Sequence, residues 1–113
     1  MVSLNFMFLL VPSSPPANIT ATTIDANSIR VTWDENPLSS LNGMITGYLV
    51  FYREMAAMRY TTAATKRYNI TIEGLKAATE YAIRVLAYNS KGNGIASELI
   101  TLYTQEKGNC VIQ

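Results

Sequence analysis

Two tripeptides in this chain have the spacing that asparagine-linked glycosylation requires, Asn18-Ile19-Thr20 and Asn69-Ile70-Thr71. In each, a hydroxyl stands two positions after a carboxamide, the pattern that marks the acceptor nitrogen for a glycan. Such tripeptides also arise by chance, so the competing reading is a pair of ordinary surface asparagines. A second piece of chemistry lies at the end of the chain, where Cys110-Val111-Ile112-Gln113 fits the pattern for prenylation of the cysteine sulfur. Prenylation belongs to the cytosol and glycosylation to the secretory route. For one folded chain the two readings exclude each other.

Other chemistry is sparse. The sequence contains no histidine, which removes Ser-His-Asp and Cys-His nucleophile systems, His-based metal sites and the usual general base. Its single cysteine can close no internal disulfide, which argues against a disulfide-stapled miniprotein and against a bridged antibody-type domain. Asp34 and Glu35 are adjacent acids without the companion spacing of a calcium loop. No cleft-forming architecture supports them as a glycosidase pair, and no Gly-rich phosphate loop is present. The sequence therefore assigns no catalytic, cofactor-binding or metal-ligating residue. With nine basic residues scattered and a net charge of +1, it also lacks the basic stripe of a nucleic-acid binder.

The elements that would position the two sequons follow from length and periodicity. At 113 residues one domain is expected, and a chain of this size buries roughly 60–70% of its unfolded surface without a metal or disulfide. Hydrophobic content of 49% against 15% charged describes a globule and not a disordered tail. Met1 to Val11 is an apolar run too short to span a bilayer. It lacks the basic start of a signal peptide and reads as a leader or a linker, and Pro12-Ser13-Ser14-Pro15-Pro16 reads as a stiff lead-in. The organisation expected is a leader or linker over 1–13, a domain over 14–106 and a solvated tail over 107–113.

Within the domain the alternation has period two, the mark of strands with one buried face. Asn18 to Ile24 points Ile19 and Ala21 inward and Asn18 and Thr20 outward. After an Asp25-Ala26-Asn27 turn, Ser28 to Asp34 buries Ile29, Val31 and Trp33. A polar loop over 34–44 leads to Ile45 to Glu54, with Tyr48, Val50 and Tyr52 inward. A short irregular strand is expected around Met58 to Thr62, then Tyr68 to Glu73 with Ile70 and Ile72 inward. Gly74 to Thr79 turns into a strand that carries Tyr81, Ile83, Val85 and Ala87 on one face. A Gly-supported connection over 89–94 precedes a last strand over 98–104 with Ile100 and Leu102 inward. Seven short strands without helical periodicity give an all-β, two-sheet antiparallel sandwich of immunoglobulin-like type.

Three wordings carry a resemblance. Leu75, Thr79 and Tyr81 have the spacing of a tyrosine corner, Gly47 to Arg53 reads Gly-Tyr-x-Val-x-Tyr-Arg, and Trp33 stands on the second strand. Over roughly residues 14–106 the chain resembles a fibronectin type III domain. The resemblance implies a core built on Trp33, Tyr48, Val50, Ile72, Leu75, Tyr81, Ile83 and Val85. It implies Trp33 as the core tryptophan and a Tyr81 hydroxyl bonded to upstream backbone. One departure is Ala77, where many members carry a proline. The loop Ser90-Lys91-Gly92-Asn93-Gly94 also lacks the Arg-Gly-Asp that some members place there.

In the family's C-F-G sheet, the outward positions of this chain would be Leu49, Phe51, Leu86, Tyr88, Leu99 and Tyr103. A solvated sheet face should be polar, so an apolar one suggests a partner-contacting patch. The alternative is that the stems of Arg53 and Arg84 cover it. The expected function is a non-catalytic, extracellular spacer and protein-interaction module of an adhesion or receptor protein, on the cell surface or outside the cell. Neighbouring immunoglobulin-like or type III domains, an unidentified protein ligand, no cofactor, no nucleic acid and no membrane contact of its own go with that expectation. The alternative is an intracellular scaffold module of a muscle or cytoskeletal protein.

Overall fold

The computed structural model describes residues 11–35 and 45–107. The leader expectation over residues 1–10, most of the polar loop, and Cys110 with the end of the tail lie outside the described residues. The elements are β1 (Ala17–Asp25), β2 (Ser28–Asp34), β3 (Gly47–Glu54), β4 (Thr61–Thr65), β5 (Asn69–Ile72), β6 (Glu80–Asn89), β7 (Gly92–Asn93) and β8 (Ile100–Tyr103). One sheet has the order β1-β2-β5. The other has the order β4-β3-β6-β7, with β8 also paired to β6. All pairings are antiparallel.

β-Branched and aromatic residues on alternate positions make the two inner faces. Ile29, Val31 and Trp33 from β2 meet Tyr48 and Val50 from β3 and Tyr81, Ile83, Val85 and Ala87 from β6, with Ile72 and Leu75 in the same cluster. Each of the valine, leucine and isoleucine side chains contributes about 1.5–3 kcal/mol by leaving water. Val50 faces Val85 directly across the β3–β6 ladder, so the centre of the sandwich is aliphatic. Aromatics take one end of it: Trp33 and Tyr48 lie 5.4 Å apart at 59°, and Tyr48 and Tyr68 lie 5.7 Å apart at 60°.

Three local differences from the sequence expectation have physical causes. The strand expected around Met58 to Thr62 runs instead over Thr61–Thr65 and is regular, pairing β3 over five residues without a register shift. Its residues are threonine and alanine, which have little hydrophobic contrast, so the ladder and not the pattern fixes its place. The last strand is in two pieces. The Ser97 hydroxyl accepts the Val85 N–H at 3.0 Å, and Ser97 N–H donates to the Val85 carbonyl at 2.8 Å. The chain thus slips register between β7 and β8. Third, Pro12 is fully buried rather than part of a free-standing lead-in. Its backbone oxygen and ring press on Gly94, where a Cβ would lie 2.7 Å and 2.8 Å from them.

The turn before β6 is bonded on three sides. The Tyr81 hydroxyl accepts the Lys76 N–H at 2.9 Å, the geometry of a tyrosine corner. The Asn27 carboxamide donates to the Leu75 carbonyl at 2.7 Å, and Leu75 N–H returns a bond to the Asn27 carbonyl at 3.0 Å. The Thr104 hydroxyl donates to the Lys76 carbonyl at 2.6 Å and accepts the Thr79 N–H at 3.0 Å. These bonds hold Ala78 at a φ of 51°, a left-handed conformation that a Cβ disfavours by about 1–2 kcal/mol. Ala78→Gly is expected to raise the urea midpoint, with a gain of about 1 kcal/mol after glycine's own entropy is counted. An unchanged or lower midpoint would contradict this account of the turn.

Candidate interaction surfaces

The outer face of β1-β2-β5 is polar. Register places Thr20 opposite Thr32 and Thr32 opposite Asn69, with Thr22, Arg30 and Thr71 forming the next row. Both sequon asparagines belong to this face and to its end near Asp34, since Ala17 pairs Asp34. Asn18 is exposed and Asn69 half-buried. Asn18 sits at a bulge with a φ of 54°, a conformation that asparagine tolerates better than most residues. Its Nδ2 donates to Asp34 Oδ2 at 2.8 Å. Glycan attachment replaces one of the two hydrogens on that nitrogen, so the other can still serve Asp34. Asp34, one of the two adjacent acids, is thus engaged with a sequon asparagine.

The outer face of the five-stranded sheet is apolar at its root and cationic on top. Leu49 lies opposite Leu86, and Tyr88 lies opposite Gly47. The Tyr88 ring rests on Gly47, where an added Cβ would come 2.7 Å from its hydroxyl. Leu86 is buried, and Ala82, on the same face beyond Arg84, is fully buried. The cover comes from a stack of Arg53 and Arg84, the stems expected there, with Tyr60 added between them. The Arg84 guanidinium lies 4.9 Å from the Tyr60 ring centroid and 5.9 Å from that of Phe51. Arg53 lies 5.1 Å from Tyr60 on its own account, and the two rings meet edge-on at 6.2 Å. Cation–π contacts of this kind contribute about 0.5–2 kcal/mol each. Arg53 also donates to the carbonyls of Met55 and Ala57 at 3.0 and 3.1 Å, which folds the 54–57 turn against the sheet.

Of the six residues expected on the face, Leu49, Phe51, Leu86 and Tyr88 come together, with Leu86 beneath the others. Leu99 and Tyr103 do not join them. Leu99 is exposed beside Pro15, Pro16 and Ile19, on a groove of about 390 Å3 between the first strand and the last. Tyr103 is exposed and pairs with Glu80, at the opposite end of β6 from Tyr88. Tyr60 was missing from the expectation. Its signal was the register, since continuing the β3–β4 ladder by one residue sets it opposite Arg53. A second cavity, about 270 Å3, opens between the 54–59 turn and the Glu73–Leu75 turn, with Arg59, Glu54 and Glu73 on its walls.

Among the described residues, Tyr48 has a proton affinity that departs from its ordinary value. Burial, first, and then its neighbour Tyr68, by charge and by hydrogen bond, push its hydroxyl up from 10.0 to about 12. An acid with a raised folded-state pKa contributes stability that is complete below the unfolded value and lost as pH climbs through the folded one. Stability is therefore expected to decline between about pH 10 and pH 12. Urea denaturation at pH 8 and pH 11 should show a smaller decline for Tyr48→Phe than for the parent. Equal declines would remove Tyr48 as the cause.

The fibronectin type III domain profile matches residues 14–103 of the chain. This chain belongs to the fibronectin type III family. Like other fibronectin type III domains it is a non-catalytic module of structural and interaction type. It is 34% identical over 102 residues to mouse cell adhesion molecule DSCAML1, covering 85% of this chain and 5% of that protein. It is 39% identical over 90 residues to rat neogenin, covering 80% of this chain and 6% of that protein. Zebrafish receptor-type tyrosine-protein phosphatase F is also 39% identical over 90 residues, covering 80% of this chain and 5% of that protein. Among solved structures, the chicken CNTN1 FN1–FN3 domains superpose with a TM-score of 0.78 at 25% identity, over 85% of this chain and 33% of that one. The titin domains A168–A170 give 0.74 at 27% identity, over 84% and 33%. The fibronectin type III domain described here thus spans about a twentieth of the curated relatives it matches.

Proposed function

We propose that this domain is an extracellular spacer and protein-interaction module within a larger cell-adhesion or receptor protein. The observation that carries the reading is the placement of both sequons, Asn18 and Asn69, on one threonine-rich outer face. Glycans there would stand away from the core and leave the other sheet free for protein contact. Likeness to proteins named as adhesion molecules and as a receptor-type phosphatase supports it. In this reading immunoglobulin-like or type III domains flank the module, and the raft of Leu49, Phe51 and Tyr88 over Leu86 contributes to a protein contact, with Leu99 and Tyr103 adding separate exposed edges.

The test is secretory expression in mammalian cells, with intact mass taken before and after removal of glycans by an amidase. Mass loss with Asn18 or Asn69 converted to Asp is the expected result, abolished by Thr20→Ala and Thr71→Ala. A secreted chain with both asparagines unmodified overturns the extracellular reading. The likeness to titin domains supports the second reading, an intracellular scaffold module, which that result would favour.

A further inference from the structure

We propose that β4 is a docking edge for an extended peptide segment with acidic residues at both ends, which adds to the five-stranded sheet as a further strand. The proposal deepens the interaction-module reading and rests on it, by naming the chemistry of one partner.

The other edges of the sandwich are blunted. β1 carries two register shifts and follows two prolines. β5 is four residues long and begins at a sequon. β7 has two residues, and β8 is bonded from the other sheet, where the Thr23 hydroxyl donates to the Tyr103 carbonyl at 2.6 Å. β4 has none of these devices. It is unbroken, has no Gly, Pro or charge within Thr61–Thr65, and forms the outer edge of its sheet. Alternate residues of an edge strand direct N–H and C=O groups away from the sheet, a template for another strand.

Charge selects the occupant. Arg59 lies before β4, Lys66 and Arg67 lie after it, and all three are exposed. None of them forms an ion pair with a described residue, whereas Lys76 pairs with Glu54 at 3.3 Å. A second copy of this chain fits poorly. Antiparallel pairing centred on Ala63 would set Arg59 against Arg67, and like charges directly opposed destabilise a strand pair. A segment with acids at both ends reverses that sign. The nine positions from Arg59 to Arg67 span roughly 27 Å when extended, with the cations at the ends and neutral residues between. A uniformly anionic chain would meet no cation over the central five residues. A strand with acidic ends matches the layout.

The probe is a fluorescent peptide of about nine residues, with alternating threonine and valine at its centre and an Asp-Glu pair at each end. It is titrated onto the full chain by anisotropy. Saturable binding is expected, together with slower amide hydrogen exchange at Thr61–Thr65. Methylating the central backbone nitrogens that face the protein should weaken binding at least about tenfold. The double variant Arg59→Glu, Arg67→Glu should also weaken it at least about tenfold, with its thermal midpoint near the parent's. If that variant unfolds, the N-methylated peptide still decides the matter against the parent chain. Absence of saturable binding overturns the proposal. So does equal affinity for the N-methylated peptide, with displacement by heparin, which would make the edge a polyanion site. Occupied glycans at Asn18 and Asn69 without peptide binding would overturn the strand addition alone and leave the module reading standing.

Discussion

Trp33→Ala is expected to lower the unfolding free energy by about 3–5 kcal/mol, the largest single-residue effect in this domain. Only 3% of the Trp33 surface is exposed, and its ring is the first member of the Trp33–Tyr48–Tyr68 series that fills one end of the sandwich. Truncation removes an indole that two sheets share, and neither ladder can shift to fill the space without breaking backbone pairing. Against a typical total of about 5–15 kcal/mol, the loss takes the domain close to its folding threshold. Trp33→Phe should cost less than half as much. It keeps an aromatic ring and removes a buried indole N–H that has no hydrogen-bond partner among the described residues, and an unmet buried donor is itself destabilising. Because Trp33 is the sole tryptophan, the comparison should be made by urea denaturation followed by circular dichroism. A cost for Trp33→Ala below about 1 kcal/mol would contradict the core described here.

The second large effect is expected at Gly94. A Cβ there would lie 2.7 Å from the Pro12 carbonyl oxygen and 3.0 Å from that of Ala87. Both neighbours are backbone atoms, so no rotamer change relieves the contact. Gly94 also donates its N–H to the Ala87 carbonyl at 2.8 Å. Withdrawing Gly94 breaks that bond, and withdrawing Pro12 exposes a fully buried ring. Gly94→Ala should therefore cost about 1–3 kcal/mol and leave the segment around Val11 to Ser14 more open to protease. Gly47→Ala is the control. Its Cβ would meet the far end of the Tyr88 side chain at 2.7 Å, and that ring can swing outward. A Gly94→Ala protein with the parent's melting temperature and protease pattern would mean that the first described residues do not close this end of the sandwich.

Period two was legible where side-chain contrast was strong. Ile29, Val31 and Trp33 on β2 alternate with polar residues and burial follows that alternation, whereas on β6 Tyr81, Ile83, Val85 and Ala87 face the core but Ala82 and Leu86 on the opposite face are buried as well. It faded where contrast was weak. Thr61 to Thr65 looks the same from either side, and only its pairing with Tyr48 to Tyr52 fixes it as a strand. The break in the last strand depends on one hydroxyl, Ser97, inserted at a backbone N–H, which residue type alone does not signal. The apolar outer face was visible as Leu49, Phe51, Leu86 and Tyr88. Its cover was legible in part: the sequence offers Arg53 and Arg84 as covering stems, whereas Tyr60 reaches that face from outside its strand and joins them only through three-dimensional stacking. The exposed cations that flank β4 gain their significance only when strand order makes β4 an edge.

The two ends of the described chain leave the sandwich at opposite poles. Val11 and Pro12 sit against Gly92 and Gly94, whereas Gln105 is bonded to Asp25 and Ala78 at the other end. A pull applied to those two points runs along the strands. The hydrogen bonds of the β1–β2 and β6–β8 ladders lie across that direction, so they bear the load side by side instead of opening one after another. In mechanical terms the module is a lap joint loaded in shear, and the two register shifts in β1 reduce the number of bonds that share the force on its first strand.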